Sequence, residues 1–222
     1  MGPVNRDPDS RASYFASRLP HDAARERLWA VLCKYLQKDI PASSRVLELG
    51  GGYCNFINNI RASEKHVVDT YGKIGDYAAA GVATHVQSCA NLDNLPAEYF
   101  DVVFASNLFE HLTRDEMSAT LSAVRRVLRD GGRLFVIQPN FKYSHRDYFD
   151  DYTHLQIYTH VGLKDLLEVS GFRVERVVPR FLPLSLKSRL PKWPWLLRLY
   201  LASPWRPFAG QMYFVSRKAE RQ

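Results

Sequence analysis

The sequence predicts a doubly wound α/β domain, an open and mostly parallel sheet covered on both faces by helices. Short apolar segments recur along the chain with helix-period segments between them, the pattern of strands buried on two faces. One of them, Arg45-Val46-Leu47-Glu48-Leu49, runs straight into Gly50-Gly51-Gly52 and then into Phe56, Ile57 and Ile60 at helical spacing, which makes strand, glycine turn and helix. A chain of 222 residues, 46% of them hydrophobic, is long enough to bury one full core.

The expected layout is a single domain over 1–222. It comprises an N-terminal helical cover (1–43), a cofactor-binding core (44–178), an insertion (177–210) and a last strand with its tail (211–222). Residues 22–37 carry Ala24, Leu28, Val31, Leu32 and Tyr35 at helical intervals, with Asp22 placed to cap. Strands follow at 45–49, 66–69, 83–87, 100–106 and 132–138, the second closing on Asp69. Between the fourth and fifth, Thr113 and Glu116 form a capping box and Leu121, Val124 and Leu128 a buried stripe. Arg125, Arg126 and Arg129 suit the C-terminal end, and Gly131-Gly132 supply a stop. Thr159 caps a further helix through Leu163, Leu166 and Leu167 to Gly171, and strands at 172–178 and 212–216 complete a set of seven.

Three widely spaced cysteines (Cys33, Cys54, Cys89) without a C-x-x-C pair argue against a disulfide framework or a structural zinc site and fit a reducing cytoplasm. The first ten residues have no apolar core, so no signal peptide is expected, and no run of 18 apolar residues calls for a spanning helix. The net charge is +7, but the last fifty residues alone carry +9, eleven Lys or Arg against two Glu, and residues 1–172 sum to −2. A one-sided basic end suits an anionic partner. Residues 177–210 hold six prolines, three tryptophans and six basic residues without one acid. A connector of that length is more often functional than not.

Three successive glycines are entropically costly and mark a turn of positive φ or a close ligand approach. The helix that follows offers unpaired N–H groups to an electronegative ligand. A nicotinamide-binding domain begins in the same way, but its fingerprint needs a third glycine where this chain has Asn55. Asp69, at the end of the second strand, suits a ribose diol, since a carboxylate accepts both hydroxyl protons.

In these elements the chain resembles the class I S-adenosylmethionine-dependent methyltransferases, from about Val46 to Val178. The resemblance rests on Val46-Leu47-Glu48-Leu49-Gly50-Gly51-Gly52, on Asp69, on Phe100 through Leu112, and on Arg126 through Leu134, in that order. It implies a Rossmann-like sheet of seven strands with the last returning antiparallel, and S-adenosylmethionine as cofactor. It further implies that Gly50 and Gly52 line the methionine moiety, that Glu48 meets its amino end, and that Asp69 holds the ribose. Asn107 and Leu108 would lie near the transferred methyl. The chain departs from the pattern at Cys54, in place of a third glycine, and at Cys89-Ala90, where relatives carry an acid before Ala; Ala90 keeps a backbone N–H for the adenine. Near the start, Tyr14 and Arg18 would close over the cofactor, Arg18 pairing with its carboxylate.

Methyl transfer from a sulfonium requires alignment of the nucleophile and uptake of its proton. His111, His154 and Asp150 are the candidate bases, and Tyr143, His145, Asp147, Asp151 and Arg180 the candidate acceptor contacts. Asp147, Asp151 and His154 also have the donor types for magnesium, but such carboxylates more often pair with Arg146 or cap a helix, so no metal is assigned. The chain lacks the Asn/Asp-Pro-Pro-Tyr type motif after strand four, having Ser106-Asn107-Leu108-Phe109, and shows no RNA-binding module, so no nucleic-acid partner is expected. The insertion has three readings: a cap on the acceptor pocket, a contact with the anionic inner membrane face, or a homodimer surface. The expected activity is O-methylation, ahead of N-methylation, of a small anionic acceptor such as a nucleotide- or lipid-linked sugar. The alternatives are an NAD-dependent oxidoreductase and a non-catalytic protein of the same fold docking through 177–210.

Overall fold

Seven strands form one sheet in the order β3-β2-β1-β4-β5-β7-β6 in a computed structural model that describes residues 22–183 and 193–220. The strands are β1 (Arg45–Leu49), β2 (Glu64–Asp69), β3 (Val82–Val86), β4 (Phe100–Ser106), β5 (Leu128–Pro139), β6 (Phe172–Val178) and β7 (Gln211–Lys218). β1 to β5 are parallel, and β7 enters antiparallel between β5 and β6. The helices are α1 (Ala23–Leu36), α2 (Asn55–Asn59), α3 (Arg114–Val127), α4 (Phe141–Ser144), α5 (His160–Val169) and α6 (Pro194–Ala202).

Two apolar clusters lie on the two faces. One joins Met117, Leu121 and Val124 of α3 and Leu163 and Leu167 of α5 to Val103, Leu134 and Phe214. The other joins Val31 and Leu36 of α1, Phe56 and Ile57 of α2 and Leu201 of α6 to Val46, Phe104, Phe135 and Tyr213. This alternation along β4, β5 and β7 is the period-two pattern of a strand with both faces covered. Chain order reverses between β1 and β4, and in such sheets the ligand crevice opens at the carboxyl ends of the strands flanking that point.

Asp22 caps α1 through the amide of Ala24, and Thr113 and Glu116 form the reciprocal box that starts α3. The end of α3 differs from the sequence expectation. The helix stops at Val127, Leu128 is already extended and paired with Phe100, and Gly131-Gly132 lie inside β5. A Cβ on Gly132 would come within 2.9 Å of Arg129 O and 3.1 Å of Phe100 O, so this glycine permits a close strand approach at a register shift and does not terminate the helix. The helix after the glycine turn is also shorter than the apolar spacing suggests, beginning only at Asn55. All three cysteines are buried and free. Among the described residues no helix is long and apolar enough to cross a membrane.

Candidate active site

The carboxyl end of β1 turns under β2. Gly50 N donates to Val68 O at 2.8 Å, and Gly50 and Gly52 take φ of +67° and +55°, values open chiefly to glycine. Gly51 serves a different need: a Cβ there would sit 2.2 Å from Val67 Cγ2. Cys54 follows with φ +56° and is the N-cap residue of α2. Burial, with Glu48 and Asp69 nearby, pushes its thiol up to about 12, so it stays protonated.

The two carboxylates expected at the cofactor flank this turn. Glu48 is buried and accepts from Ile57 N at 3.0 Å, closing the first turn of α2. Burial raises its pKa well above the usual carboxylate range; the Ile57 bond opposes the shift and Asp69 adds to it. Asp69 accepts from Gly52 N at 3.0 Å and from Tyr71 N at 2.9 Å. These amides fix the plane of the carboxylate at the strand end. Ala90 N is engaged with Ser88 Oγ at 3.2 Å in the loop after β3, and Cys89 beside it is buried. Tyr14 and Arg18 lie outside the described residues.

Across the crevice, Asn107 leaves β4 with φ +48°; its amide donates to Ile137 O and its Oδ1 accepts from Gln211 Nε2 at 2.8 Å. This pins the rim of β4 to β5 and to the start of β7. Leu108 then folds back over the glycine turn, its Cδ1 at 3.0 Å from the position of a Cβ on Gly50. The residues present therefore fit a nucleoside-bearing cofactor: a left-handed glycine turn, an oriented acid at the next strand end, and an apolar side chain opposite.

A single turn of 3-10 helix, Phe109–His111, leads from Leu108 to a second cluster. The segment 148–156 folds over this turn, with Leu155 N and Gln156 N both donating to Glu110 O. His111 Nδ1 faces Thr153 O at 3.2 Å and Thr153 Oγ1 at 3.1 Å, while the Thr153 hydroxyl donates to Asp151 Oδ1 at 2.6 Å. Both oxygens facing His111 are thus acceptors, so Nδ1 carries the hydrogen and Nε2 the lone pair. His154 repeats the arrangement, with Nδ1 at 2.6 Å from Tyr148 O. The two rings lie 4.9 Å apart between centroids. Burial lowers the pKa of His154, although Asp151 and the Tyr148 carbonyl oppose it, so the ring is neutral at pH 7.

Glu110 escaped the sequence reading. It is buried, and neither carboxylate oxygen meets a hydrogen-bond donor from another residue among those described. Burial, with Asp151 adding and its own amide opposing, brings it to about 8. One ligand atom from each of Glu110, His111 and His154 lies within 4.8 Å of the others. The signal available was the pairing of Glu110-His111 before the capping box with the Asp151-x-Thr153-His154 run. An acid next to a histidine reads as solvated until a distant segment covers it.

The remaining candidates spread around this rim. Asp151 belongs to the cluster through Thr153, whose hydroxyl and amide outweigh burial and hold its carboxyl below the usual range. Asp147 and Asp150 are exposed at the 3-10 turn Tyr148–Asp150, and His145 is exposed beside Phe141. Tyr143 is half-exposed, stacked on His160 and covered by the Arg180 guanidinium at 5.3 Å. Buried Gln138, on the last turn of β5 before the rim, has no partner for either amide atom among the described residues.

A family model described as a methyltransferase domain matches residues 21–177, more than half of the chain. Among solved structures, a chain of the Haloferax volcanii complex between the Trm112 methyltransferase activator and a methyltransferase aligns with a TM-score of 0.70 and 13% identity, covering 99% of each chain. A SAM-dependent methyltransferase from Archaeoglobus fulgidus aligns with a TM-score of 0.63 and 19% identity, over 94% of this chain and 99% of that one. One from Thermotoga maritima gives 0.63 and 18%, over 96% of each. At these identities the likeness establishes the fold. No curated protein matches the sequence.

Proposed function

The chain belongs to the methyltransferase-domain family and is an S-adenosylmethionine-dependent enzyme; from that premise we propose that it methylates an oxygen of a small anionic acceptor held at the rim between Leu108 and His154. When bound, the cofactor supplies an activated methyl and its own leaving group. Asp69 and the glycine turn orient it, and Leu108 closes the opposite wall. The acceptor oxygen has to lose its proton as the new bond forms, and the Glu110–His111–His154 cluster serves that loss.

One observation carries the reading: the five residues from Asn107 to His111 touch both halves of the site. Leu108 packs on Gly50, and His111 packs against His154. Cofactor cradle and proton-handling cluster are thereby held in register by one short turn. Arg180, poised over Tyr143, and the basic C-terminal segment support an anionic acceptor. Trp193, Trp195, Trp205 and Phe208 are all more than half exposed on the segment leaving the same sheet edge, which supports a lipid-linked acceptor met at a membrane surface. The nicotinamide alternative lacks this support, since Asn55 opens α2 where its fingerprint needs glycine.

Calorimetric titration with S-adenosylhomocysteine tests the cofactor half. Wild type binds, and Asp69→Ala weakens binding by about 10- to 100-fold, because hydrogen bonds to a charged group contribute ~1.5–3 kcal/mol; equal affinities would remove Asp69 from the site. Incubation with methyl-tritiated donor and matched hydroxyl and amine acceptors, each with and without a phosphate, tests the other half. Label should enter the phosphate-bearing hydroxyl compounds first, and preferential labelling of amines would overturn the O-methylation reading.

A further inference from the structure

We propose that Glu110, His111 and His154 hold a divalent transition cation, which takes the acceptor's hydroxyl oxygen as a further ligand. The second clause rests on the acceptor site argued above; the first stands on the cluster alone.

Three features of the cluster point to a cation. A carboxyl group 99% buried, both of whose oxygens lack a partner from another described residue, is costly unless a ligand meets it. Both histidines donate Nδ1–H to a backbone carbonyl, the outer arrangement that fixes a metal-binding imidazole with its Nε2 lone pair turned away. One ligand atom from each of the three residues lies within 4.8 Å of the others. Tetrahedral ligands at 2.0–2.1 Å from zinc would be ~3.4 Å apart, a difference small enough for side-chain rotation to close.

The donor set also chooses the ion. Two imidazoles and one carboxylate suit zinc, manganese or cobalt, whereas magnesium and calcium prefer oxygen throughout. Asp151, the residue a magnesium site would need, holds Thr153 instead and through it His111, so it stands one step back from the ion. Three protein ligands leave at least one position for substrate. A hydroxyl bound there would be acidified as metal-bound water is. Its proton passes to solvent, its oxygen pair forms the C–O bond, and the pair of the breaking C–S bond stays on sulfur.

The test uses the full chain, freed of metal with a chelator and titrated calorimetrically with zinc chloride and with manganese chloride. Expected is one strong site per chain, weakened at least about 10-fold in both Glu110→Gln and His154→Ala, and a cobalt-loaded protein whose visible spectrum changes in Glu110→Gln. Binding below one ion per chain, or unchanged in both variants, overturns the proposal. If Glu110→Gln does not fold, by its melting curve, His154→Ala and the wild-type titration decide. S-adenosylhomocysteine affinity is measured on the same samples. Its retention where metal fails to bind sinks the cation alone, and its absence where metal binds sinks the cofactor reading alone.

Discussion

At the residue scale, the three successive glycines answer to two separate constraints, and the middle one is open to a sharp test. Gly50 and Gly52 are needed for their left-handed backbone, whereas Gly51 is needed because buried Val67 leaves no room for a methyl. Gly51→Ala should therefore destabilise the protein by ~1–3 kcal/mol, the cost of overpacking a tight core. Combining it with Val67→Ala removes the clashing methyl. The double variant should lose less stability than the two single changes together, by at least about 0.5 kcal/mol in a denaturant cycle. Gly72→Ala is the control, since a Cβ there meets nothing within 4 Å. Additive losses in the cycle would show that Gly51 is not held by Val67. Glu110 makes the complementary point, because its neighbours in sequence say little about its burial. Its surroundings come from Leu155 and Gln156, some 45 residues away, and a long-range cover of this kind has no local signature.

At the element scale, Asp101 ties three strands together at the end of the sheet away from the crevice. It accepts from the amide of Arg45 in β1 at 2.8 Å and from the Arg129 guanidinium in β5 at 2.5 Å. Burial alone would raise its pKa, but the Arg45 amide and the two guanidinium groups win and hold it below the usual value. A carboxyl depressed in the fold contributes stability that is complete above the unfolded pKa of about 3.9 and is lost as pH falls through the folded value. Asp101→Asn should lower the melting temperature near pH 7 by about 2–4 °C, the effect of ~1 kcal/mol in a chain of this size. The gap to wild type should close on acidification below about pH 4. A gap that stays constant in calorimetry across that range would refute the charge account. Elements such as α1, α3, β4 and β6 were legible because caps and apolar period agree there. The end of α3 was not, since Gly131-Gly132 is the usual helix stop, and only the pairing of Leu128 with Phe100 across 28 positions shows that the strand has already begun. The glycine turn from Glu48 to Gly52 was readable for the same reason that α3's start was: its residues are contiguous. The Glu110–His111–His154 cluster joins 109–111 to 148–156, and its membership is decided by packing.

At the scale of the whole molecule, the exposed aromatics and the crevice converge on one end of the sheet. β6 runs parallel to β5 and β7 antiparallel to it, so the connection from Val178 to Gln211 emerges where β1 and β4 also end. α6 docks through Leu201 and Leu197 on the α1 face and turns outward the stacked pair Trp193 and Trp195, whose ring centroids are 5.7 Å apart. Trp205 and Phe208 are 77% and 76% exposed beyond it. An enzyme whose acceptor is carried by a lipid gains by resting this end on an anionic bilayer, where tryptophan prefers the headgroup level and each nearby basic residue adds ~1 kcal/mol. The full chain should therefore float with vesicles containing phosphatidylserine and remain behind with phosphatidylcholine alone. Binding should fall in 0.5 M salt, since the surface attraction is screened within a few ångströms there. Replacing Trp193, Trp195, Trp205 and Phe208 with Ala should abolish flotation while leaving S-adenosylhomocysteine affinity within about twofold, because all four side chains are more than half exposed whereas Gly51 and Asp69 are buried. If wild type fails to float but sediments as a dimer, and the fourfold variant as a monomer, the aromatic surface joins two copies of this chain instead.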